Sequence, residues 1–85
     1  MPVLSRFYGI VVFMNYNDHS PAHFHARYQD QEVLVEIESG LVRGAMSSRA
    51  LRLVLDWTDL HQVELRENWQ LARQRKPLKR IDPLP

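Results

Sequence analysis

The chain has 85 residues, 45% of them hydrophobic and 25% charged, with no cysteine and a formal charge of +1 when histidine is neutral. This length is enough for one domain over 1–85, with a small core that buries about 60–65% of the unfolded surface, and the composition is globular rather than disordered. Disulfides, thiolate zinc sites and thiol nucleophiles are excluded. The near-neutral total charge gives no reason in itself to invoke nucleic acid. No apolar stretch approaches the roughly 18 residues needed to span a bilayer, and the first residues lack a secretory pattern, so a cytoplasmic protein without a membrane partner is expected.

Taken in chain order, Phe7-Tyr8-Gly9-Ile10-Val11-Val12-Phe13-Met14 is a near-continuous apolar run that predicts a strand over 7–14 covered on both faces. Asn15-Tyr16-Asn17-Asp18 then turns the chain, and Pro21 rules out a helix through the segment that follows. A second strand is predicted over 23–29, with Phe24, Ala26 and Tyr28 on one face and His23, His25 and Arg27 on the other. A third is predicted over 32–38, with Val33, Val35 and Ile37 opposed to Glu32, Leu34, Glu36 and Glu38. A two-residue Asp30-Gln31 loop would pair Tyr28 with Val33, Ala26 with Val35 and Phe24 with Ile37. A slip by one residue would send an apolar set into water. This register sets His25 across from Glu36 and His23 across from Glu38, at the roughly 5 Å spacing of cross-strand pairs. Asp-Gln is not a favoured two-residue turn, so a longer loop with a shifted register stays open.

Ser39-Gly40 turns into a fourth strand over 41–45, and Ser47 or Ser48 is a fitting N-cap for a helical segment over 48–74 that Pro77 ends. A helix of that length would reach roughly 42 Å, against about 30 Å for a compact chain of this size. It must overhang the sheet or break. Asp59 followed at the third position by Gln62 has capping-box character, which places the break near Thr58-Asp59. Arg49, Arg52 and Asp56 form a narrow polar stripe, whereas Ala50, Leu51, Leu53, Val54, Leu55 and Trp57 take the rest of the circumference. A single sheet cannot cover that surface, so the segment bearing Leu60, Leu65, Trp69 and Leu71, or a second subunit, must pack on it. The tail over 77–85 is expected to be extended, with its Pro-rich end, Asp82-Pro83-Leu84-Pro85, mobile. The expected fold is α+β: a four-stranded antiparallel meander followed by a long or broken C-terminal helical segment packed on one face.

Uncommon chemistry is concentrated in Asp18-His19-Ser20-Pro21-Ala22-His23-Phe24-His25, which holds three of the four histidines within seven positions. Alternate strand residues point the same way, so His23 and His25 make a sensible start for a divalent metal site that His19, Asp18, Glu36 or Glu38 would complete. A cysteine-free ligand set suits an open site rather than a closed structural one. The same residues also fit acid–base chemistry. His25 with Glu36, His23 with Glu38, and Arg27 or Arg6 as the cation are the minimal parts for RNA cleavage through the 2′-hydroxyl. The plainer alternative is a hydrogen-bonded turn whose exposed His–Glu contacts are worth well under about 1 kcal/mol each. Arg73, Arg75, Lys76, Lys79 and Arg80 lie within eight residues that contain no acid. They form either a solvated helix end or a patch for phosphate or an acidic partner, with Trp69, like Trp57, as a core or interface anchor. His61, between Leu60 and Leu65, is expected to pack half-buried between helices.

Ser5-Arg6-Phe7-Tyr8-Gly9-Ile10, the run from Asn17-Asp18-His19-Ser20-Pro21-Ala22 through His23-Phe24-His25-Ala26, and the block from Arg49-Ala50-Leu51-Arg52-Leu53-Val54-Leu55 to Glu67-Asn68-Trp69 resemble a bacterial family of small proteins known only as domain of unknown function 4160. The resemblance covers nearly the whole chain. Ala22 stands where a second proline is expected, which slightly loosens the turn. Members are similar to components of two-gene modules, encoded beside another small protein in the manner of toxin–antitoxin pairs. The resemblance therefore implies an interaction component of such a module, working through a small partner protein or self-association, and it carries over no catalytic residue. A histidine-dependent RNA-cleaving toxin and a metal-binding protein are the rival expectations. No recognisable helix-turn-helix speaks for a repressor-like antitoxin.

Overall fold

In the computed structural model, which describes residues 2–85, the chain turns sharply near the start of the apolar run and pairs that run with the residues ahead of it. Tyr8 and Gly9 take positive φ, 48° and 80°, as in the two-residue turns whose twist matches antiparallel strands. They join β1, Val3–Phe7, to β2, Ile10–Phe13, with Phe7 opposite Ile10. The strand expected over 7–14 is thus shortened to β2, and β1, mostly ahead of it, is an additional strand, so the sheet has five strands rather than four. β3, His23–Tyr28, β4, Gln31–Glu36, and β5, Val42–Gly44, complete an antiparallel meander in the order β1-β2-β3-β4-β5.

Between β3 and β4 the loop is Gln29-Asp30, with Gln29 at φ 56°, and not Asp30-Gln31. Tyr28 then pairs with Gln31, Ala26 with Val33 and Phe24 with Val35, two residues from the expected register. An even displacement leaves every side chain on its own face, so Phe24, Ala26, Val33 and Val35 are still buried. It does change the outer-face neighbours. His23 stands opposite Glu36, His25 opposite Leu34 and Arg27 opposite Glu32.

Ser47 caps α1, Ser48–Leu60, its Oγ accepting the Ala50 N–H at 3.3 Å. The helical segment breaks rather than overhanging the sheet, and does so at His61 rather than Thr58-Asp59. Thr58 stays inside α1, where its hydroxyl donates to the Val54 carbonyl at 2.7 Å. His61 leaves helical geometry at φ −126° and ψ 29°, and α2, Gln62–Arg73, follows. α1 packs on the sheet face that carries Phe7 and Phe24. Trp57 is fully buried there, its ring centroid 5.6 Å from Phe7 and 5.8 Å from Phe24, alongside buried Val54 and Leu65. No helix is long and apolar enough to cross a membrane.

The tail is extended and docked on the rest of the chain. The Ile81 N–H donates to the Leu4 carbonyl at 2.9 Å, and Ile81 is buried. Trp57 Nε1 donates to the Asp82 carbonyl and the Tyr8 hydroxyl to the Pro85 carbonyl, both at 2.8 Å. Asn68, buried on α2, clamps Lys79 from both sides: its Oδ1 accepts the backbone N–H at 2.7 Å and its Nδ2 donates to the carbonyl at 3.0 Å. Part of the wide apolar helix surface is thus covered by the chain's own end. Leu60 and Val63, astride the break, stay 61% and 71% exposed.

Candidate metal centre

The connection from β2 to β3 is held against α2 at two points. Asn17, at φ 53°, donates its N–H to the Ala72 carbonyl at 3.3 Å, and Arg73 Nη1 donates to Ser20 Oγ at 3.1 Å. This fold-back brings Asp18 over the outer face of β3. There its Oδ2 lies 3.0 Å from His23 Nε2 and 3.7 Å from His25 Nε2. One ligand atom from each of the three side chains falls within a 4.8 Å group. His23 and His25 are alternate residues on one strand, and their rings meet edge to face at 5.2 Å.

The other ring nitrogens face acceptors. His23 Nδ1 is 2.8 Å from the Pro21 carbonyl, which can only accept, so the hydrogen sits on Nδ1. In a neutral ring that leaves the Nε2 lone pair aimed at a carboxylate oxygen 3.0 Å away. Two acceptors cannot share that contact, so a proton or a cation must lie between them. His25 is held more loosely: its Nδ1 is 3.5 Å from Glu32 Oε2 and its Nε2 3.7 Å from Asp18 Oδ2, and the Asn15 amide, a donor, stands 3.5 Å from that Nε2 and would have to yield it to an ion. Packing fixes both rings. His23 is 2% exposed under Trp69, at 5.2 Å, and His25 stacks on Phe13 at 5.1 Å with 10° between the planes.

Burial works against ionisation of Asp18. The His19 backbone N–H at 2.8 Å, the hydrogen bond to His23 and the nearby charge of His23 and His19 outweigh it, so the carboxyl is held below its ordinary 3.8. The carboxylate is therefore the working form at neutral pH.

His19, expected as a ligand, lies beside the group, its Nε2 3.7 Å from Asp18 Oδ1 and its ring 5.5 Å from that of His23, but outside the three converging donors. Its side chain is 82% exposed, and its Nδ1 lies 3.3 Å from the Ser20 carbonyl. The expected acid–base set is not assembled. Glu36 accepts from the Ser39 hydroxyl at 2.8 Å and lies 3.7 Å from Arg43, not beside His25. Glu38 takes two bonds from Arg66, at 2.7 and 3.1 Å, which lower the carboxyl and raise the guanidinium from their ordinary values. Arg27 donates from Nε and Nη2 to Glu32 Oε1, at 3.2 and 2.8 Å, and covers the Phe13 ring. Glu32 and Asn15 are the site neighbours that sequence reasoning missed.

Trp69 is 5% exposed and belongs to the core, packed against His23, not to a surface patch. Lys79 pairs with Glu67 at 2.5 Å. Arg75, Lys76 and Arg80 are exposed, and none of the three has an acidic partner among the described residues.

Residues 9–70, well over half of the chain, match the family model described as "Domain of unknown function (DUF4160)". No curated protein and no solved structure matches.

Proposed function

We propose that this chain, which belongs to the DUF4160 family, is a divalent-metal protein with Asp18, His23 and His25 as its protein ligands. The supporting observation is the orientation of the two imidazoles. Both Nε2 atoms and Asp18 Oδ2 converge, while both Nδ1 atoms face an oxygen acceptor, Pro21 O and Glu32 Oε2. Metal-bound histidines are held in this manner, the outer hydrogen bond fixing the tautomer that presents a lone pair. Two imidazoles and one carboxylate suit Zn, Fe, Co or Ni and leave coordination positions open. Such an ion supplies Lewis acidity and activates water when bound. The protein's part is to hold the three donors against Trp69 and Phe13 and to supply the negative charge of Asp18.

Elemental analysis after equilibrium dialysis of untagged protein against Zn or Co tests this. About one ion per chain is expected in the wild type and close to none in His25→Gln. Equal content in the two proteins, or none in either, means that the 3.0 Å contact holds only a proton.

Partner binding through the helical layer is a second function, favoured by exposed Leu60 and Val63. It would suit the small partner or self-association of a toxin–antitoxin-like module. Sedimentation of wild type beside Leu60→Glu/Val63→Glu tests self-association: a monomer in both cases argues against it. A metal-free, histidine-dependent RNA cleavage would have to use Asp18 as the carboxylate beside His23, because Glu36 accepts from Ser39.

A further inference from the structure

The bonds that pin the Asp18 loop also bring the basic end of α2 beside it. Asn17 is tied to Ala72 and Ser20 to Arg73, so the segment that supplies Asp18 and the segment that carries Arg73, Arg75 and Lys76 run together. Arg75 ends the helix at φ 57°, with the Lys76 N–H donating to the Leu71 carbonyl at 2.9 Å. That left-handed position ordinarily takes glycine or asparagine, so an arginine is held there against a conformational preference. Tyr16, Asn17 and Arg75 line a cleft of about 480 Å³. Tyr16 is 42% exposed, an aromatic face presented to solvent rather than packed away.

A helix C-terminus carries only about −0.5 of an elementary charge, and even with the adjacent Asp18 carboxylate the three cations outweigh it, so the local field still favours an anion. An exposed aromatic ring next to arginines is the combination that holds single-stranded nucleic acid: bases stack on the ring and phosphates meet the guanidinium groups. In a duplex the base faces are hidden. We propose that the Tyr16-Asn17-Arg75 cleft binds the phosphodiester backbone of a single-stranded nucleic acid, with Arg73, Arg75 and Lys76 on phosphates and Tyr16 under a base, alongside the metal of the Asp18-His23-His25 centre. The cleft stands on its own residues, and only its pairing with the ion rests on the metal proposal above.

The test is fluorescence anisotropy with a labelled mixed-sequence single-stranded RNA dodecamer, its DNA counterpart and the matching duplex, over a salt series, with metal content measured on each sample. Each phosphate contact on a single strand contributes about −0.7 to the slope of log K against log salt. Three contacts therefore give the wild type a slope of about −2, and Arg75→Asn/Lys76→Gln should leave about −0.7 with affinity lowered at least tenfold at low salt. Asparagine tolerates the left-handed backbone, so that variant keeps its fold and its metal. Tyr16→Leu should weaken both single strands without altering the slope. Comparing RNA with DNA shows which strand is preferred. Equal slopes for wild type and Arg75→Asn/Lys76→Gln, no binding of either strand, or tighter binding of the duplex would each overturn the cleft. His25→Gln separates the two proposals. If it loses metal and weakens the strand, cleft and ion work together; if the wild type holds no metal yet binds the strand with the expected slope, the cleft survives and the metal proposal falls.

Discussion

Asp18 and His23 are joined by a contact that only a proton or a cation can occupy, and that fixes what their substitution should do. His23 is 2% exposed with both nitrogens engaged, so His23→Gln leaves buried acceptors unmatched and should cost roughly 1–3 kcal/mol in a urea titration. His25, with a 15% exposed side chain, should tolerate glutamine better, which makes it the cleaner probe of metal binding. In metal-free protein the Asp18 carboxyl lies below its ordinary 3.8. The stability it contributes is complete above that value and is lost as pH falls through the lower folded one. Asp18→Asn should therefore flatten the acid limb of the stability curve, read as urea midpoints between about pH 2 and 6, and an unchanged limb would place the acid sensitivity elsewhere. Ser5 is buried with an unpartnered hydroxyl, so Ser5→Ala should be neutral or stabilising by melting temperature. The histidine cluster was legible in the sequence because three uncommon side chains fall within seven positions. Its carboxylate was not. Asp18 arrives by a loop held through Asn17-Ala72 and Arg73-Ser20 contacts, and no strand periodicity records such contacts.

At the scale of elements, faces were legible and turns were not. Alternation identified Phe24, Ala26, Val33 and Val35 as core, and a two-residue displacement left that true. The same displacement exchanged the partners of His23, His25 and Arg27, because polar neighbours carry no burial signal to fix them. Gly9 inside an apolar run was the available sign of a hairpin, outweighed by the hydrophobicity on both sides of it. The break at His61 differs from Thr58-Asp59 because Thr58 satisfies its hydroxyl within α1. The tail was missed because what secures it is largely polar, above all the two bonds of Asn68. Asn68→Ala should cost roughly 1–3 kcal/mol and open the tail to limited proteolysis; unchanged protection would show that Ile81 and the Trp57-Asp82 bond suffice. Gly44, at φ 98°, would put a Cβ 2.7 Å from the Glu32 carbonyl oxygen. Gly44→Ala should thus force β5 off the sheet edge at a cost of roughly 1–3 kcal/mol, seen as faster amide exchange at the β4-β5 pairing.

Across the whole molecule, a five-stranded sheet, two helices and a docked tail pack within 33 × 24 × 22 Å. The loop and the end of α2 meet at one end of β3, where they gather a carboxylate, two imidazoles and unpaired arginines. A small core leaves modest stability, so a ligand that binds only the folded chain should register strongly. An ion at a hundred times its dissociation constant adds about 2.7 kcal/mol. For a domain of this size each kcal/mol moves the midpoint by about 4–8 °C. The most direct measurement is the melting temperature of untagged wild type and His25→Gln, each with and without saturating Zn or Co. A rise of about 10–20 °C in the wild type and little or none in His25→Gln is the predicted result. No rise in the wild type, or an equal rise in both, would contradict a metal centre at Asp18, His23 and His25.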